Sequence, residues 1–326
     1  MTFRIAVIGC GWISTTSHAP VYKRYAASFP DVELVCCDIN FSTAESFCAE
    51  HGFAHAYQDY QEMLTVEKPD AVCLNVPEHL IASMGCQVMQ MGYPLLAEKP
   101  PGLTVSEIDQ LISTAQSTGA IHQVAFNRRH APLMIELKQM LRGQSIHHIN
   151  HQFYRVGRTR YDFSTTAIHA IDSIRFLAGC DFQHLRFQYQ EFPALSETVP
   201  VANFFLDGSM TSGASVNMSI SPITGVNTET TILHTFERTF IIKFQIGSEN
   251  PGTLQCFEKG KLIIDLNAVD FSRTTDDSIL NGFENENISF FSAVRAGRQP
   301  TDTFASCRQS VEVMQAMRER QAEYHL

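Results

Sequence analysis

A lysine held between a glutamate and a proline, Glu98-Lys99-Pro100, closes the short apolar run Tyr93-Pro94-Leu95-Leu96-Ala97. At a strand end, such a lysine presents one ammonium group to a bound ligand, where it can polarise an oxygen or stabilise a developing alkoxide. Much earlier in the chain, a glycine turn, Gly9-Cys10-Gly11-Trp12-Ile13-Ser14, follows the first apolar run, Phe3–Ile8. A dinucleotide site needs one glycine for the sharp strand-to-helix turn and a second where backbone approaches pyrophosphate. Its third position must be small so that helix and strand pack closely. Gly9 and Gly11 fill the first two positions, and Ser14 is a small substitute at the third. The helix that opens through Trp12 and Ile13 then offers unpaired N–H groups to the phosphates.

Asp38 ends the second apolar run, where the adenosine ribose hydroxyls of a bound dinucleotide would lie. Its charge would repel a 2′-phosphate and Ile39-Asn40 supply no arginine, so NAD is expected over NADP. Asn75, Glu98 and Lys99 complete the expected cofactor-contacting set.

A second group of chemical residues lies on a helix expected from about Thr165 to Ala178. At 100° per residue Thr165, His169 and Asp172 share one side, with Ile168, Ile171, Ile174, Leu177 and Ala178 on the other. That pattern also describes the solvated face of an ordinary amphipathic helix. A His and an Asp one turn apart can, however, bind a sugar hydroxyl and take its proton. Asn127 is a further candidate substrate contact. Arg155, Arg158, Arg160 and Tyr161 form the most basic segment, where Arg158 and Arg160 could meet a substrate carboxylate or phosphate. A charged strand edge that resists edge-to-edge pairing reads the same way.

The run His147-His148-Ile149-Asn150-His151 does not make a metal site. In a strand His147 and His151 stand ~13 Å apart and His148 faces the other way, whereas ligands must lie ~2 Å from one centre. No metal is expected.

The elements that must position these groups divide at about residue 126. Up to there, strand-like runs at Phe3–Ile8, Val32–Asp38, Ala71–Val76, Pro94–Ala97 and Ile121–Phe126 alternate with helical patterns. Ser42-Thr43-Ala44-Glu45 and Thr104-Val105-Ser106-Glu107 both carry the capping-box arrangement. His79–Met91 has helical spacing and stops at Gly92. This alternation predicts a parallel sheet covered by helices on both faces. Beyond Asn127 the rhythm changes. A helix at Pro132–Leu141, an extended run at Ile146–Val156 and the Thr165 helix precede strands at Val201–Leu206, Thr211–Ser219, Thr230–Phe236 and Thr239–Phe244. Asp207-Gly208 reads as a hairpin turn, and a last helix spans about Ser306–Glu323. The expected division is a dinucleotide-binding domain at 1–126 and a substrate-binding α+β domain at 127–326, built on a mostly antiparallel sheet.

Composition narrows the function. A net charge of −10 argues against a nucleic-acid partner. No apolar stretch approaches the ~20 residues of a membrane span. Nine scattered cysteines without a CxxC pair read as reduced thiols. With no leader evident at the N-terminus, a cytoplasmic location is expected.

With the glycine turn, Asp38, Glu98-Lys99-Pro100 and the His169/Asp172 helix in this order, the chain resembles the Gfo/Idh/MocA oxidoreductases, which include glucose–fructose oxidoreductase and inositol dehydrogenase. Val124-Ala125-Phe126-Asn127-Arg128-Arg129 and Phe290-Phe291-Ser292-Ala293-Val294-Arg295-Ala296-Gly297 extend the likeness over nearly the full length. The junction, with Pro132 and Glu136-Leu137-Lys138, looks most like the MviM-type branch. The resemblance implies a Rossmann domain followed by an open-sheet domain that forms homodimer or homotetramer contacts. It also implies a lysine beside the nicotinamide and substrate hydroxyl at Lys99, with the bond to Pro100 often cis, and catalytic and substrate roles for His169 and Asp172. Departures stand at Thr165, where the family usually has an aspartate, at Ile81 in place of a histidine, and at Ala167 in place of a glycine. The expected activity is hydride transfer between a nicotinamide and a hydroxyl or keto carbon of a sugar, polyol or related small molecule. Thr165 motivates the alternative, a dinucleotide-binding sensor of the same fold without efficient chemistry.

Overall fold

The computed structural model describes residues 2–246 and 251–326. These form two compact units, one of residues 1–126 with 283–311 and one of 127–282 with 312–326. Among the described residues the strands make two sheets, of six and nine strands. No helix among them is long and apolar enough to cross a membrane.

The first unit contains β1 (Phe3–Ile8), β2 (Val32–Cys37), β3 (His55–Tyr57), β4 (Ala71–Leu74), β5 (Leu95–Glu98) and β6 (His122–Ala125). They pair in parallel in the order β3-β2-β1-β4-β5-β6. The apolar runs of β1, β4 and β5 are buried along almost their whole length, as parallel strands covered on both faces must be. β3 escapes sequence detection because it is three residues long and partly exposed. Strand order reverses between β1 and β4, and ligands of such sheets bind outside the carboxyl ends at that switch point. Gly9, Asn75 and Lys99 all follow carboxyl ends at or beside it.

Thr104 and Glu107 form the expected capping box on Val105–Thr118. The Ser42 box does not form. Helix Phe41–His51 begins one residue before Ser42 and is capped by Asn40, whose side chain accepts from the Ser42 amide.

Residues 283–311 correct the expected division, which placed them in the second domain. Phe290 and Phe291 on helix Phe283–Arg295 are buried in the first unit's core with Phe3, Tyr22 and Tyr25. Arg24–Glu284 and Arg295–Asp31 ion pairs reinforce the packing. An amphipathic helix records that it needs a core, not which core.

The second unit holds β7 (Ile146–Tyr154), β8 (Phe182–Glu191), β9 (Ala202–Met210), β10 (Ser215–Ser221), β11 (Thr228–Thr235), β12 (Arg238–Lys243), β13 (Thr253–Glu258), β14 (Lys261–Asn267) and β15 (Glu323–His325). Their order is β14-β13-β12-β11-β7-β10-β9-β8-β15, antiparallel throughout except for the parallel pair β7 and β10. The Asp207-Gly208 hairpin is not observed. Both residues lie inside β9, and the chain turns at 211–214 instead. Gly208 is required for another reason, since a Cβ there would sit 2.0 Å from the His184 carbonyl oxygen. The last helix is Phe304–Arg318, and the chain then adds β15 to the sheet edge. Helix Ser164–Ala178 packs on β7 and β10 and is buried on nearly every side.

Candidate functional site

In the first unit the glycine turn is built around backbone contact. Gly9 has φ +95°, and a Cβ on it would meet the Asn75 carbonyl oxygen at 2.3 Å, so only glycine fits. Gly11 has open space where its side chain would be, leaving the backbone approachable. Trp12 is 74% exposed and Ile13 partly so. Ser14 is fully buried. Its hydroxyl donates to the Gly9 carbonyl at 2.6 Å and accepts from the Asn75 amide at 3.0 Å. A serine therefore serves at the third small position because its one polar atom is satisfied inside the turn. Asn75 also reaches the Tyr22 hydroxyl at 3.5 Å, so its side chain braces the turn.

Asp38 lies beside the same turn. Its two oxygens accept the amides of Cys10 and Asn40, each at 2.9 Å. Two backbone donors fix the carboxylate's direction and leave further lone pairs for a ligand hydroxyl. The Gly9 cradle, the clear space at Gly11 and the oriented Asp38 together fit a dinucleotide.

Glu98 is buried and Lys99 half-buried, and the Lys99–Pro100 bond is cis. One Glu98 oxygen bonds His18 Nε2 at 2.9 Å, and the other accepts the Lys99 amide at 2.9 Å. His18 is itself fully buried, and its Nδ1 faces the Asn287 side-chain amide at 3.1 Å. That amide also donates to the Phe283 carbonyl at 2.8 Å, which sets its orientation. Nδ1 is therefore the acceptor and Nε2 carries the proton toward Glu98. Burial pushes the Glu98 carboxyl up, but the His18 hydrogen bond and the Lys99 charge outweigh it, and its pKa is lowered. An ionised carboxylate thus sits at the root of the lysine.

In the second unit Thr165, His169 and Asp172 are 9%, 5% and 1% exposed, so their face of the helix is not a solvated one. Asp172 is gripped by Arg129, through Nε at 2.8 Å and an amino nitrogen at 2.6 Å. The expected substrate contact at Asp172 would use the oxygen lone pairs that this bidentate pair leaves. Both oxygens serve an internal ion pair that anchors the helix. The Thr165 hydroxyl donates to the Asp162 carbonyl at 2.9 Å, leaving it an acceptor toward a ligand. Asn127, expected to touch substrate, is buried, donates to the Asn281 carbonyl at 2.8 Å and accepts from Arg128 at 3.2 Å.

Arg158 and Arg160 are exposed on the loop after β7. Arg155 is not part of that surface. It is buried against Glu229, which Arg128 also holds at 2.5 and 2.8 Å. Burial would raise the Glu229 carboxyl, but the two guanidinium charges bring it down to about 2. His151, next to them, is pushed down to about 4 by burial.

Residues 3–126 match the model of an oxidoreductase family with an NAD-binding Rossmann fold, GFO_IDH_MocA. Over that stretch the chain is similar to the Gfo/Idh/MocA oxidoreductases. It is 30% identical over 129 residues to D-glucoside 3-dehydrogenase of Escherichia coli (strain K12), covering 39% of this chain and 36% of that protein. It is 31% identical over 139 residues to scyllo-inositol 2-dehydrogenase (NADP(+)) IolU of Bacillus subtilis (strain 168), covering 42% and 41%. These matches span well under two thirds of either relative. The crystal structure of the dehydrogenase MviM from Clostridium difficile shares the fold over 98% of this chain and 100% of that one, with TM-score 0.80 and 18% identity.

The residues that sequence reasoning missed are His18, Asn287 and Arg129. Each acts through a contact remote in sequence. A histidine four residues after Ser14 was the only local signal for His18.

Proposed function

We propose that this chain is an NAD-dependent oxidoreductase acting on a hydroxyl or keto carbon of a sugar, polyol or related small molecule. The observation that carries the reading is Lys99, set directly after β5 and rooted on an ionised, buried Glu98. The turn from Gly9 to Ser14 would hold the pyrophosphate, with Trp12 and Ile13 at its helix end and Asp38 on the adenosine ribose. The bound dinucleotide supplies the hydride acceptor. Lys99 donates a hydrogen bond to the substrate oxygen and stabilises negative charge as the hydroxyl deprotonates. His169 takes that proton. Thr165 accepts a hydrogen bond from a neighbouring substrate hydroxyl, and Arg158 or Arg160 meets an acidic substituent.

Asp38 supports NAD over NADP, although the Bacillus subtilis relative is named for NADP(+). Nine cysteines, all free, support a reducing, cytoplasmic setting. A homodimer or homotetramer through the second unit's sheet belongs to the same proposal.

A second reading rests on Thr165. Its hydroxyl proton is spent on Asp162 and it carries no charge, so a dinucleotide-binding sensor is the alternative. Incubating the protein with NAD and a panel of sugars and polyols, acidic ones included, separates the two. Reduction of NAD by at least one compound supports the enzyme. Tight NAD binding with no reduction across the panel supports the sensor.

A further inference from the structure

Apart from the 147–151 run, folding assembles a second histidine-containing cluster at the second unit's sheet edge. There β15 pairs antiparallel with β8, so that His325 stands directly opposite His184 and Glu323 opposite Arg186. Glu323 and His325 are two residues apart on one strand and therefore project from the same face, which they share with His184. One ligand atom from each of the three lies within 4.8 Å of the others. His325 Nε2 is 3.2 Å from a Glu323 oxygen and His184 Nε2 is 4.0 Å from the same oxygen. His184 Nε2 is buried and makes no hydrogen bond among the described residues. Arg186, the cation that could compete for Glu323, is instead directed to Asp207.

We propose that His184, Glu323 and His325 bind a divalent transition-metal ion of the Zn2+ class. Two imidazoles and a carboxylate are the donor set that such an ion favours, and three protein ligands leave a position for water or a fourth donor. Ligand atoms around a tetrahedral Zn2+ stand roughly 3.4 Å apart, given bonds of ~2.0–2.1 Å. The His325–Glu323 separation already meets this, and the His184–Glu323 separation closes by about half an ångström. The two rings are stacked at 4.4 Å with 25° between planes, and they must fan apart to aim both lone pairs at one point. His325 is 65% exposed, so that rotation is unobstructed on its side.

The backbone is prepared for this. The Phe187 amide bonds the Ala322 carbonyl at 2.8 Å and the Leu326 amide bonds the Gln183 carbonyl at 3.1 Å, holding the strand on both sides of the cluster. Fixed backbone supports, with freedom confined to side-chain rotation, reduce the ordering cost of binding. The ion would staple the final strand to β8, and its binding would weaken in acid as protons compete for the ligands.

The test is calorimetric titration of tag-free, chelator-treated full-length protein with ZnCl2, repeated with Co2+ so that visible absorption reports the ligand field. The wild type should take up a single ion with nitrogen–oxygen tetrahedral Co2+ bands. The double variant His184→Ala/His325→Ala should bind on the order of 100-fold more weakly, and Glu323→Gln about tenfold. Circular dichroism checks the fold of each variant, and His325→Gln, at an exposed position, carries the test if the double variant misfolds. Absence of uptake by the wild type, or uptake unchanged in the folded variants, overturns the proposal.

Discussion

Glu98 in the first unit and Asp172 in the second are both buried carboxylates close in sequence to a candidate catalytic group, Lys99 and His169 respectively. They differ in what balances them. Glu98 is held by a histidine and a backbone amide, so its charge remains available to the adjoining lysine. Asp172 is matched atom for atom by Arg129, whose charge is permanent. The same arrangement recurs at Glu229, between Arg128 and Arg155. A carboxylate partnered by histidine can tune a neighbour. One locked to arginine serves as an anchor, and its cost falls due only when a partner is removed.

That contrast breaks most visibly at Asp172. Asp172→Ala leaves a buried guanidinium without its carboxylate and should cost about 3–5 kcal/mol in urea unfolding. A loss below about 1 kcal/mol would show that the pair is no anchor. The second unit should also be acid-sensitive through His151, which faces Glu229, Arg128, Arg155 and Thr231. Its folded pKa, about 4, lies below the ordinary ~6.5, so the unfolded chain binds a proton that the folded chain does not. Stability should therefore fall as pH drops through this window, by about 3 kcal/mol in all, and His151→Asn should flatten that slope. Urea midpoints across the pH range check both statements.

The smallest expected effect on stability is in the first unit. His18→Ala removes one hydrogen bond from Glu98 and should cost about 1–3 kcal/mol. It should also move the acid limb of the kcat/KM profile to higher pH, because the Glu98 pKa is no longer held down by His18. His18→Gln, which restores a donor, should return the limb toward its original position. An unmoved limb in His18→Ala would make His18 a packing residue only.

What was legible in the sequence was local. The glycine turn, the capping box at Thr104 and Glu107, and the burial of β1 depend on neighbours a few residues apart. The partners that define the site are not local. His18 and Glu98 are 80 positions apart, His18 and Asn287 are 269 apart, and Arg129 and Asp172 are 43 apart. The spacing from Thr165 specifies a helix, which forms at Ser164–Ala178, but its polar side is equally compatible with solvent. In the structure that side is buried, with Asp172 held by Arg129 of the 127–130 turn. The placement of 283–311 was hidden for the same reason, since its aromatic pair fits any core of the right size.

The central claim is that Lys99, rooted on Glu98, stabilises the substrate oxygen during hydride transfer. Lys99→Ala, assayed with NAD and whichever compound the wild type oxidises, tests it most directly, with NAD binding measured on the same preparation. The account predicts a fall in kcat on the order of 100- to 1,000-fold while NAD affinity stays within about threefold. Turnover within about tenfold of wild type, with NAD still bound, would contradict it.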